Sequence, residues 1–161
     1  MELNVNKMKK HKGFTLVELL LVMAICASLT AVVYTAWHNI QVRLDLQKVQ
    51  SQVNIIVDVA RAWRNAKTSY QGISMSPDDK DSLCNDNLLP KDMCVAGFVN
   101  PWGGQYRVSV SAKYGDNNFD VTLTDITNSE IRNAIKLILL KSTLGQDSIQ
   151  IERDKIIATF N

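Results

Sequence analysis

The sequence predicts an α+β fold in which one long N-terminal α-helix packs on a small antiparallel β-sheet together with a second, short helix. Three observations carry that prediction. An apolar run from Phe14 to Trp37 continues, without Gly or Pro, into a stripe of apolar residues at helical spacing. Two later segments alternate apolar and polar residues at strand spacing, and a helix-start signal at Thr127 introduces a final amphipathic stretch. With 161 residues, 46% hydrophobic and 21% charged, the chain has room for one modest domain and one membrane-sized element.

The first element is the run FTLVELLLVMAICASLTAVVYTAW at positions 14–37, in which Glu18 is the sole charge. As a helix it would measure roughly 36 Å, against a hydrocarbon core of about 30 Å, so it is long enough to span a bilayer. Lys7, Lys9, Lys10 and Lys12 precede it and place its start on the cytoplasmic side, with everything after it outside. A cleaved secretory signal or a plain anchor would share these features. Neither explains a carboxylate near the start of the span, where an ionisable group costs several kcal/mol unless it finds a partner.

Lys12-Gly13-Phe14-Thr15-Leu16-Val17-Glu18, with the apolar helix that follows, resembles the class III leader junction of type IV pilins and related pseudopilins. The resemblance implies that a prepilin peptidase cuts between Gly13 and Phe14 and that the new amine of Phe14 is methylated. Residues 1–13 are then a basic leader, 14–37 a transmembrane and assembly helix, and 38–161 a periplasmic or extracellular pilin domain. The implied subunit is held in the inner membrane, handed to a pilus assembly machinery and polymerised with copies of itself into an extracellular filament. Glu18 lies about one helical turn from the freed amine. Pairing with the amine of a neighbouring copy would offset much of the cost of both charges and set register. The rival within the class is a pseudopilin of type II secretion or a minor pilin. The rival outside it is a bitopic anchored enzyme or binding domain.

The second half of the helix is read from Leu46, Val49, Val53, Ile56, Ala60 and Trp63, a three-four-three-four-three stripe flanked by Arg43, Asp45, Lys48, Gln52, Asp58 and Arg61. Its expected use is burial against the chain's own sheet rather than a free coiled coil, since the seam spans under three heptads. Pilins often bend this helix with a Pro; none stands near Thr35, although Ser28, Thr30 and Thr35 can compete for backbone carbonyls.

Ser69 to Asn100, rich in Ser, Asp, Asn, Gly and Pro, is a long connection with at most a short helix near Asp79 to Leu83. Its acidic cluster lacks the Gly and the terminal Glu of a calcium loop, so solvated carboxylates are the expectation and no metal is assigned. Cys84 and Cys94 flank the polar part and look like disulfide partners, whereas Cys26 sits in the apolar run. Such a bridge would contribute roughly 3 kcal/mol and requires an oxidising compartment. Pro101-Trp102-Gly103-Gly104 is a tight turn with Trp102 as a core plug.

Tyr106, Val108, Val110 and Ala112 form one alternating strand and Phe119, Val121 and Leu123 another, with Gly115-Asp116-Asn117-Asn118 as the expected hairpin turn. Thr127 and Glu130 read as a capping box before Ile131, Ala134, Ile135, Ile138 and Leu139, in a helix ending near Gly145. Ile149 with Ile151, and then Ile156 to Phe160, supply one or two closing strands. From NPWGG through FDVTLTDI the chain also resembles type IVb pilins of the conjugative thin-pilus kind. It departs from them in its short leader, its Phe at position 14 and the lack of a cysteine beyond Cys94.

The charge balance and histidine content exclude several function classes. Removing the leader's local +3 from the total of +2 leaves −1 after Gly13, so a generally basic nucleic-acid surface is not indicated. After cleavage His38 is the single histidine, read as an interfacial residue beside Trp37. No Ser-His-Asp set, zinc spacing or phosphate-binding Gly loop occurs, so no enzyme and no cofactor is expected.

Overall fold

The computed structural model describes residues 14–65, 67–79, 82–85, 88–95 and 98–161. Its elements are α1 (Leu16–Arg64), β1 (Tyr106–Ser111), β2 (Gly115–Leu123), α2 (Ser129–Leu139), β3 (Ile149–Ile151) and β4 (Ile156–Phe160), with 3-10 turns at Lys91–Met93 and Gln146–Ser148. The α+β class and the long first helix are as the sequence predicts. The chain divides between Val42 and Arg43 into two compact units.

The first unit is the leading part of α1. Every residue from Phe14 to Gln41 is exposed, so the unit has no core of its own. This stretch is long and apolar enough to cross a membrane. Ser28, Thr30 and Thr35 turn their hydroxyls back onto the helix, donating to Ile25 O at 2.8 Å, Cys26 O at 2.7 Å and Val32 O at 2.9 Å. Their polarity is thereby hidden within the helix, which suits an apolar surrounding.

The second unit holds the core. The sheet order is β1-β2-β4-β3, with every neighbouring pair antiparallel. One face of the remaining part of α1 joins it: Val49, Val53, Ile56, Ala60 and Trp63 are buried as the stripe predicts, Leu46 is half-buried, and Val57 is buried as well. These residues form one apolar cluster with Phe119, Val121 and Leu123 of β2, Ile156, Ala158 and Phe160 of β4, and Ile135 and Leu139 of α2. The alternate residues of β2 and β4 share a face because side chains in a strand alternate sides. Two polar ties join helix to sheet: Tyr106 donates its hydroxyl to Gln52 Oε1 at 2.7 Å, and Arg64 binds the carbonyl and side-chain oxygens of Asn117.

Four local expectations are corrected. The hairpin turn falls on Ala112 to Tyr114, and Gly115 to Asn118 already belong to β2. Gly115 still uses its freedom, at φ 79°, beside the irregularity in β1 at Val110/Ser111. The second helix is capped by Asn128 rather than Thr127: Asn128 Oδ1 accepts from Glu130 N at 2.8 Å and from Ile131 N at 3.3 Å. That helix ends at Leu139, six residues before Gly145, and turns fill the interval. In the connecting segment the helical turn lies at Lys91–Met93, and residues 79, 82 and 83 are not helical.

Trp102 packs half-buried against the core. Its turn is organised by Asn100, whose Nδ2 donates to Thr124 O at 2.9 Å while its Oδ1 accepts from Trp102 N at 2.9 Å and Gly104 N at 3.1 Å. Gly104 passes so close to Thr124 that a Cβ would stand 1.8 Å from its carbonyl oxygen.

Candidate functional site

Two regions hold the residues singled out by sequence: the start of α1 and the cross-linked loop. Gly13 and the lysines before it lie outside the described residues. Phe14 is 81% exposed and stands two residues before the first residue of the helix. Thr15 is the N-cap and Glu18 stands three residues on, in the first turn. Glu18 N donates to Thr15 Oγ1 at 3.3 Å, and both Thr15 N and Thr15 Oγ1 donate to Glu18 Oε2 at 2.9 Å. This is a reciprocal capping box, which satisfies donors left over at a helix start.

The sequence reading missed this role for Glu18, although Thr-x-x-Glu is itself the signal. The omission changes the chemistry. Within one subunit the carboxylate is already hydrogen-bonded through Oε2, and Oε1 carries no bond from the described residues. Glu18 can therefore keep its cap and still accept one further donor.

Beyond Glu18 the apolar surface continues through Leu20, Met23, Leu29, Val33 and Trp37, all more than half exposed. A surface of this size is stable in water only if lipid or other chains cover it. Cys26 lies within it as a free, exposed thiol.

In the second region the structure joins Cys84 to Cys94, ten positions apart with Cα atoms 5.5 Å from one another. Buried Leu83 and Met93 flank the two sulfurs, and Leu89 is buried between them, so the bridge clamps three apolar anchors onto the core. Ser74 pairs with Ser82 at the neck of the loop, and the loop then faces β1 across a groove of about 480 Å³. Among the described residues, no cluster of three or more His, Cys, Asp or Glu is placed to hold a metal ion.

Comparison with known proteins gives two family matches. Residues 8–34 match the prokaryotic N-terminal methylation motif, and residues 43–159 match the family described as PilS N terminal. Two curated relatives are similar over nearly the whole chain. They are the major structural subunits of bundle-forming pilus of Escherichia coli O111:H- and of E. coli O127:H6 strain E2348/69. Each is 25% identical over 158 residues, covering 94% of this chain and 77% of the relative. No solved structure matches the chain.

Proposed function

The chain belongs to the PilS N terminal family and carries a prokaryotic N-terminal methylation motif, and from that premise we propose that it is the structural subunit of a type IV pilus. The observation that carries the reading is a motif-bearing helix exposed from Phe14 to Gln41 joined in sequence to a body with its own core. The two bundle-forming pilus relatives support a role in the filament itself.

On this reading residues 1–13 are removed by a prepilin peptidase, Phe14 becomes the methylated first residue, 14–37 are the membrane and assembly helix, and 38–161 the exported body. Cleavage releases the basic leader, with its new carboxylate on Gly13, and frees a single amine at Phe14. In the membrane the helix waits as a single span; in the filament the same surface packs against other copies. The amine and Glu18 are the two charges in an otherwise apolar stretch, so a neighbour's amine is the natural donor for the Glu18 oxygen that the capping box leaves free. A misregistered copy would leave both charges unpaired in an apolar surrounding. The body acts after export, where the Cys84–Cys94 bridge is stable.

Mass spectrometry of protein extracted from membranes tests the first step. Loss of residues 1–13 with one added methyl on Phe14 is expected, and a chain retaining Met1 would refute the reading. Electron microscopy of sheared surface material then asks whether the processed subunit is the bulk component of a filament.

A further inference from the structure

We propose that the edge strand β1 takes β3 of a second copy of this chain as an added antiparallel strand, a contact between bodies that rests on the filament reading above. The sheet order β1-β2-β4-β3 leaves β1 and β3 at its two edges. Beside β1, Gln105 O accepts from Thr124 N at 3.1 Å and Gln105 N donates to Thr124 Oγ1 at 2.9 Å, so Gln105 turns its backbone toward β2. Alternate residues follow it: Arg107 and Ser109 face Thr122 and Asp120, while Tyr106, Val108 and Val110 turn their N–H and C=O outward. On β3, Glu152 N donates to Lys155 O at 2.9 Å, so Glu152 and Gln150 face β4 and Ile151 turns outward. Ile149 N is held by Gln146 O, and its carbonyl turns outward as well. Among the described residues no hydrogen bond reaches these outward groups on Tyr106, Val108, Val110 and Ile151.

The groove between the cross-linked loop and β1 leaves room for that strand. Gln105, Tyr106, Arg107 and Val108 all border it. Consecutive side chains of a strand point to opposite faces, so a groove touching all four runs along the edge rather than over one face. One register satisfies backbone, apolar and charged groups together. With Val108 opposite Ile151, the two exchange both backbone bonds, and Val110 N donates to Ile149 O. Val108 and Val110 then lie beside Ile151 and Ile149, and Ile151, 38% exposed in the single chain, is covered. Arg107 stands opposite Glu152 and Ser109 opposite Gln150, all four of them exposed in the single chain. Slipping the pair by two residues in either direction sets Glu152 opposite Gln105 or Ser109 and loses the match of charge.

β1 and β3 cannot pair within one molecule, because β2 and β4 stand between them. Two different edges give a heterologous contact, in which each copy offers β3 to the next and leaves its own β1 open. That geometry continues along a filament. Pairing β1 with β1 of a second copy would stop at a dimer, and the register centred on Arg107 would set two like charges opposite each other.

The test pairs Ser109→Cys with Gln150→Cys in a Cys26→Ala background. Both positions are exposed, so neither replacement disturbs the core. In the proposed register they form a non-hydrogen-bonded pair, where Cα atoms stand about 4.5 Å apart, within reach of a disulfide. Oxidised filaments of the paired variant should give a ladder of covalent multimers that neither single variant gives. Cross-links ending at dimers, or filaments with none, overturn the contact. In parallel, Arg107→Glu and Glu152→Arg should each lower sheared-filament yield several-fold at unchanged subunit level in the membrane, and the two together should restore it. Wild-type yields from both single variants, or no recovery in the pair, overturn it independently of the cysteine chemistry. A wild-type chain forming no filaments would instead overturn the filament reading, and this contact with it.

Discussion

Replacing Glu18 by Gln separates two roles that Glu18→Ala removes together. A Gln side-chain oxygen can accept from Thr15 N and Thr15 Oγ1 as the carboxylate does, so the capping box survives and only the charge is lost. Removing the cap as well, in Glu18→Ala, costs about 1 kcal/mol more. Losing the charge leaves the amine of a neighbouring Phe14 without its counter-ion in an apolar filament core. Breaking one partner of a buried pair costs about 3–5 kcal/mol. The charge term exceeds the cap term several-fold, so Glu18→Gln should be nearly as defective in assembly as Glu18→Ala. Both are expected to lower the yield of sheared filaments by roughly a hundredfold or more, with cleavage after Gly13 intact by mass spectrometry. Wild-type filament yield from Glu18→Gln beside a defective Glu18→Ala would show that the carboxylate serves as a cap alone, and would refute the register role.

Other consequences concern the body and are read by denaturant unfolding of the detergent-solubilised full chain. Gly104→Ala forces a methyl to within 1.8 Å of Thr124 O and should cost about 3 kcal/mol or more, because the clash is with backbone rather than a yielding side chain; a loss under 1 kcal/mol would contradict the turn geometry. Asn100→Asp removes the donor to Thr124 O and sets a carboxylate against that carbonyl, for an expected loss of about 2–3 kcal/mol at pH 7. Cys84→Ser with Cys94→Ser should cost about 3 kcal/mol, and protease sites around Leu89 should open before global unfolding. Burial pushes the Tyr106 phenol above its ordinary value near 10, so the neutral form is favoured in the folded state. The associated stability is fully present below pH about 10 and is lost as pH rises beyond it. Tyr106→Phe should flatten that alkaline slope, and an unchanged slope would show that the phenol is not the group responsible.

The parts of the fold legible in sequence are those where one periodicity spans many residues. Leu46 to Trp63 repeats its spacing over five turns, and Phe119 to Leu123 alternates strictly, so the buried face of β2, and that of α1 apart from Val57, could be named from the pattern. Boundaries were less legible because neighbouring residues offer the same local chemistry. Thr127, Asn128 and Ser129 can all cap a helix, and the choice of Asn128 depends on backbone geometry, including Asp125 at φ 60° just upstream. The Gly115 to Asn118 stretch has turn composition, yet it lies within β2, and Tyr70 N donates to Asp116 O at 2.7 Å. The capping box at Thr15 was written in the sequence and was hidden by a competing explanation for Glu18. The groove beside β1 was not legible at all, since it brings residues 74–78, 93–95, 98 and 105–108 together through a cross-link and a sheet edge.

The exposed half of α1 also constrains what can drive assembly. Moving an apolar helix from lipid into a bundle of like helices removes no apolar surface from water, because lipid tails are as apolar as Leu or Val. The exposure from Phe14 to Gln41 therefore explains why the subunit must be sheltered, and does not explain why it prefers a filament to the bilayer. Preference has to come from interactions that lipid cannot make. Close packing of the helices is one source, and an amine meeting the free oxygen of Glu18 is another. A third is contact between bodies, which lies in water and does gain from apolar burial. The exposed Leu137 on the body is the kind of residue that could supply that third term, and on the proposed reading Glu18 makes the first unit selective about where a neighbour sits. A body lacking its apolar contact should therefore still be cleaved and held in the membrane, and should fail at the step where lipid is exchanged for neighbours.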